Sequence, residues 1–86
     1  MTPVTGTDTD AHPPGEIAVD ARGTRCPMPV ILAARAALGA TPGTELLVLA
    51  DDPAAAADLP AWARMRGHTV LDLTTGGQVR CRIRLG

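Results

Sequence analysis

The chain has 86 residues, a formal net charge of -1 and eight basic side chains that are all arginine, which bounds it to one domain with a small core and gives it no net basic face for nucleic acid. With no Phe, no Tyr and a single Trp, it cannot build the aromatic platform of a single-strand binder. Two distant cysteines do not make a secreted disulfide framework, no apolar run reaches the roughly 18 residues of a membrane span, and the N-terminus has no signal-peptide pattern, so a free thiol in the cytoplasm is the expectation.

Residues 1–15 read MTPVTGTDTDAHPPG and hold almost nothing that could be buried. They predict a disordered tail, with His12 inert inside it, ahead of one folded domain over 16–86. Ile17 to Asp20 predicts a short strand with Ile17 and Val19 inward. A helix follows from about Pro27 to Leu38, capped by Gly39, with Ile31, Ala34 and Leu38 as its buried stripe. Glu45 to Ala50 is nearly all apolar, as in a parallel strand covered by helices.

Asp52 and Pro53 predict the opening of a second helix, Asp52 as N-cap and Pro53 at the first helical position. Pro60 predicts a kink there, or a restart capped by Asp58. Gly67 ends the helix. Strands are expected from about His68 to Thr74 and from about Gln78 to Leu85, joined by a turn at Thr75-Gly76-Gly77. The order βαβαββ predicts an α/β two-layer sandwich, with a four-stranded mixed sheet and both helices on one face.

The chemistry is concentrated in Asp20-Ala-Arg22-Gly-Thr-Arg25-Cys26-Pro27-Met28-Pro29. On this reading Cys26 is the N-cap of the first helix. Pro27 and Pro29 have no N–H, which leaves Met28 and Val30 as donors toward the sulfur. The helix dipole and the nearby Arg22 and Arg25 are expected to lower the Cys26 pKa. The fourth residue of the motif is Pro29 and not a second cysteine, so the site suits passing one sulfur atom, not dithiol redox. A lone cysteine in a small domain is also commonly an apolar filler.

Three segments together decide between those readings: Asp20-x-Arg22-Gly23-x-x-Cys26-Pro27-x-Pro29, then Ala50-Asp51-Asp52-Pro53, then Asp58-Leu59-Pro60-Ala61-Trp62 followed by Gly67-His68. With them the chain from Glu16 to Gly86 resembles the TusA, or SirA-like, family of sulfur carriers. The resemblance implies a fourth strand that is antiparallel and inside the sheet. It also implies a sulfurtransferase that a cysteine desulfurase loads with a persulfide on Cys26, and that passes the sulfur to an acceptor protein. Acceptors in the family serve transfer-RNA thiolation, molybdenum-cofactor supply or sulfur oxidation. Where many relatives carry Phe-Cys, this chain has Trp62-Ala63.

No cofactor, metal, membrane or direct nucleic-acid partner is expected. Asp52 reads first as a cap, and also as a residue beside the Cys26 loop at the end of a parallel sheet where α/β sites gather. His68 has no Cys or His at ligand spacing and reads as structural. Cys81 shares a face with Val79, Ile83 and Leu85 and reads as core. Trp62 and Met65 read as a packing pair. Arg80, Arg82 and Arg84 lie on the opposite face, either solvated or docking an acidic partner. A non-catalytic module acting through that arginine face is the alternative to sulfur transfer.

Overall fold

The computed structural model describes residues 15–86. The expected tail therefore lies outside the described residues except for Gly15, and so does His12. The elements are β1 (Glu16–Asp20), α1 (Met28–Ala37), β2 (Glu45–Ala50), α2 (Ala55–Met65), β3 (Thr69–Thr74) and β4 (Val79–Arg84). One mixed sheet has the order β1-β2-β4-β3, with β1 parallel to β2 and β4 antiparallel to both of its neighbours. The fourth strand is thus inside the sheet, as the resemblance implied.

Side chains alternate along a strand, so the residues opposite one another in a ladder share a face. Leu46 pairs with Ile83, Val48 with Cys81 and Ala50 with Val79. All six are buried, and they form the floor of the core. Helix α1 packs over β1 and β2, and α2 over β3 and β4, which closes the two-layer sandwich from one side. Leu59 of α2 is fully buried in this layer, a burial that stabilises by about 1.5–3 kcal/mol.

The burial of α1 differs from the periodic reading. Pro29 and Ala33 are its buried residues, whereas Ile31 is 36% and Leu38 78% exposed. The helix is apolar almost all round, Arg35 being its one charged residue, so its periodicity carries little information about the face. Ala33 is small enough to let the helix lie close on the sheet.

Helix α2 starts at Ala55, later than Asp52 and Pro53 suggested, and runs on through Pro60 without a restart at Asp58. Pro60 removes one intrahelical bond. Leu59, Trp62 and Ala63, buried on either side of it, hold the helix against the sheet. Trp62 is 7% exposed and its ring lies 5.1 Å from that of His68, but Met65 is 76% exposed and is no part of a packing pair. The helix ends as Gly67 predicted. His68 N–H donates to the Ala63 carbonyl at 2.7 Å and Gly67 N–H to that of Arg64 at 3.2 Å, a pairing that needs the left-handed φ of +79° at Gly67.

Each of the parallel strands β1 and β2 is followed by a helix running back over the sheet. The starts of both helices therefore gather at the C-terminal edge of β1 and β2, where sites of α/β proteins form.

Candidate functional site: a loop held by carboxylates around Cys26

Two loops meet at that edge, residues 21–27 after β1 and residues 51–54 after β2. The first is irregular, so its backbone donors need partners from elsewhere. Ala21 N–H donates to the Leu49 carbonyl at 2.7 Å, and the Thr24 hydroxyl to the Ala21 carbonyl at 2.6 Å. The second loop supplies two carboxylates. Gly23 N–H donates to both oxygens of Asp51, at 3.0 and 3.1 Å. Cys26 N–H donates to Asp52 Oδ2 at 2.9 Å, and Ala54 N–H to Asp52 Oδ1 at 3.0 Å. Asp52 therefore joins the cysteine loop to the turn that leads into α2. These two amide donors, Ala54 first and Cys26 second, hold its carboxyl below the ordinary range. A shallow depression of about 380 Å³ lies beside this junction, lined by Gly23, Thr24, Arg25, Asp51, Asp52 and Pro53.

Cys26 is not the N-cap of α1. Pro27 holds that position, the Cys26–Pro27 peptide is cis, and the helix begins at Met28. Met28 N–H donates to the Arg25 carbonyl at 2.8 Å and so does not serve the sulfur. Arg22 is held by Asp20, with both side-chain bonds at 2.8 Å, which drives the Asp20 carboxyl down to about 2. Arg25 is exposed and its charge acts on Asp52. The larger influences on the thiol are burial, Asp58 and Asp52.

The Cys26 side chain is half-buried and packs against the core cluster. Asp58 stands in the first turn of α2. Burial pushes the Cys26 thiol up to about 11, helped by the carboxylates of Asp58 and Asp52. The expected lowering of this pKa is thus reversed. The helix dipole acts within its own first turn, and Cys26 lies outside that turn, beside two carboxylates.

The remaining motif residues spread around this centre. Pro27 is exposed, Met28 half-buried, and Pro29 fully buried against the sheet. Asp51 and Asp58 are contributors that the sequence pointed to only as parts of helix-opening segments. Asp58 stands 32 positions from Cys26 (58 minus 26), and only the packing of α2 beside the loop joins them. Cys81 is fully buried on β4, with its thiol raised to about 11 by burial first and the Asp72 charge second. His68 accepts a bond from Gly86 N–H on Nδ1 at 3.0 Å, a structural role.

Arg80, Arg82 and Arg84 occupy the open face of the sheet, far from Cys26 in the layer sense: the sheet lies between them and the helices. Arg82 lies 3.7 Å from Glu16 and 3.9 Å from Glu45, so the face interleaves acids with bases. Among the described residues, no three His, Cys, Asp or Glu side chains gather as a metal site, and no helix is long and apolar enough to cross a membrane.

The fold and this centre define a small α/β protein that presents one partly accessible thiol on a loop fixed by carboxylates, with its other cysteine sealed in the core. The family model described as Sulfurtransferase TusA matches residues 17–85. The chain belongs to that family of sulfur carriers, whose members act in sulfur relay between donor and acceptor proteins.

Proposed function

We propose that the protein carries sulfur as a persulfide on Cys26, taking it from a cysteine desulfurase or another persulfide donor and giving it to an acceptor protein in the cytoplasm. The observation that carries this reading is the family match together with the placement of the two thiols. Of the two cysteines in the chain, Cys26 is half-buried at the loop junction and Cys81 is fully buried.

In loading, the Cys26 sulfur attacks the terminal sulfur of the donor persulfide. A new S–S bond forms on Cys26 as the donor's S–S bond breaks, and the donor leaves as a thiol. Delivery repeats the exchange, with the acceptor thiol attacking the terminal sulfur on Cys26. No oxidant is consumed, because one sulfur atom moves between equivalent bonds. The acceptor serves transfer-RNA thiolation, molybdenum-cofactor supply or sulfur oxidation. The carboxylates of Asp51 and Asp52 fix the loop, so that the sulfur is offered in one geometry.

Incubation with a cysteine desulfurase and cysteine bearing radiolabelled sulfur tests the reading. Label is expected on the wild type and absent from Cys26→Ser. Equal labelling of both proteins refutes it.

A further inference from the structure

The loop after β2 borders two hollows. On one side Asp51 and Asp52 meet the Cys26 loop. On the other side Asp51 and Pro53 border a cavity of about 320 Å³ between the start of α2 and the turn that joins β3 to β4. Its walls are mainly apolar, made by Pro53, Ala56 and Val79, with Gly76 and Gly77 of the turn at its edge. The two glycines have φ of +109° and +94° and carry no side chains, which leaves the mouth open. Among the described residues that line the cavity, Asp51 alone is charged.

Asp51 is exposed and keeps acceptor capacity. Gly23 N–H meets both of its oxygens, at 3.0 and 3.1 Å, so one donor serves the pair. An ionised carboxylate offers about four lone-pair sites, and this single donor leaves a site open on each oxygen. The shared N–H occupies the edge between the oxygens, where the fork of a guanidinium would dock with two prongs. The open sites point apart, which suits a compact cation on one oxygen. The protein's own arginines are placed elsewhere: Arg22 is tied to Asp20 by two bonds of 2.8 Å, and Arg25 lines the hollow on the other side of the loop.

We propose that this cavity seats a lysine side chain of a partner protein, with the aliphatic stem against Pro53, Ala56 and Val79 and the ammonium on Asp51. Lysine buries an apolar stem while its charge stays at the wet tip, which matches apolar walls with a carboxylate at the surface. Asp51 also anchors the Cys26 loop through Gly23, so a partner seated here is held beside the loop that carries the thiol. The inference stands on the cavity and its charge and does not need the sulfur-carrier reading, so either can fail without the other.

Titration of the isotope-labelled full chain, followed by its amide NMR shifts, tests it without any sulfur transfer. The probe is the peptide acetyl-alanyl-lysyl-alanine amide. Saturable shifts are expected at Ala56, Gly76 and Gly77, with the millimolar Kd of one anchored side chain. The same peptide with norleucine keeps the stem and drops the cation; it is expected to bind at least about threefold more weakly. High salt is expected to weaken the lysine peptide as well. Asp51→Asn removes the charge, and Ala56→Leu fills the cavity while keeping the charge. Each is expected to weaken the lysine peptide by about threefold or more. The spectra report whether each variant folds; Asp51→Ser and Ala56→Met are measured in place of one that does not. The absence of saturable shifts up to about 100 mM overturns the proposal. So does equal binding of the norleucine peptide, a set of shifts confined to another part of the surface, or a filled-cavity variant that binds like the wild type.

Discussion

Asp52 holds the cysteine loop to the start of α2, and its removal has a size that the structure sets. Asp52→Ala deletes two bonds to backbone N–H groups, from Cys26 at 2.9 Å and from Ala54 at 3.0 Å. A bond to a charged group contributes about 1.5–3 kcal/mol when well shielded; at this half-exposed carboxylate about 1 kcal/mol each is the better figure. The total of about 2 kcal/mol lies at the upper end of measured cap removals and corresponds to a fall of about 10 °C in Tm for a domain this size. Asp52→Asn keeps one acceptor oxygen and is expected to lose about half as much.

Urea unfolding followed by the fluorescence of Trp62, the single tryptophan and 7% exposed, measures the loss. The pH dependence gives a second reading. The folded pKa of Asp52 is lowered from 3.8, so its contribution is fully present above that value and is lost as pH falls through the lower folded one. The difference between wild type and Asp52→Ala is therefore expected to shrink in that acid window. A loss under about 0.5 kcal/mol at pH 7, or a difference that persists unchanged in acid, refutes the reasoning.

Two further outcomes follow from burial and from the open sheet face. Leu59→Ala empties a fully buried site between α2 and the sheet and is expected to cost about 2–5 kcal/mol in the same urea experiment; a cost under about 1 kcal/mol contradicts the packing described. Replacing Arg80, Arg82 and Arg84 together by Gln is expected to change stability by about 1 kcal/mol or less, since the contacts of Arg82 to the buried Glu16 side chain and to the half-buried Glu45 are long, at 3.7 and 3.9 Å. The same triple variant is expected to accept sulfur from a desulfurase at the wild-type rate; a drop that deepens at low salt assigns the face to partner docking instead.

The sheet was legible because its strands state their environment. β2 reads ELLVLA, apolar enough for a central strand, and β4 reads VRCRIR, whose alternation is the observed alternation of buried and exposed residues. Gly67 marked the end of α2 for a local reason, its positive φ. The face of α1 was not legible, because Ile31 and Leu38 are as apolar as the residues that are buried and Ala33 wins by being small. The charge around Cys26 was misread for a different reason. Sequence neighbours Arg22 and Arg25 suggested a cationic setting, but Arg22 is bound by Asp20 and the effective neighbours, Asp52 and Asp58, come from across the fold. Local sequence predicts local geometry; the field at a side chain depends on what packs against it.

The proposed sulfur relay places the carried atom on Cys26. Intact-mass spectrometry of the protein after incubation with a cysteine desulfurase and cysteine, under non-reducing conditions, tests it most directly. A gain of one sulfur atom is expected, mapping to the peptide that contains Cys26 and removed by reductant. The same gain is expected in Cys81→Ser, since that side chain is sealed in the core, and none in Cys26→Ser. A sulfur gained by Cys26→Ser, or a wild type that stays at its unmodified mass with an active desulfurase, contradicts it.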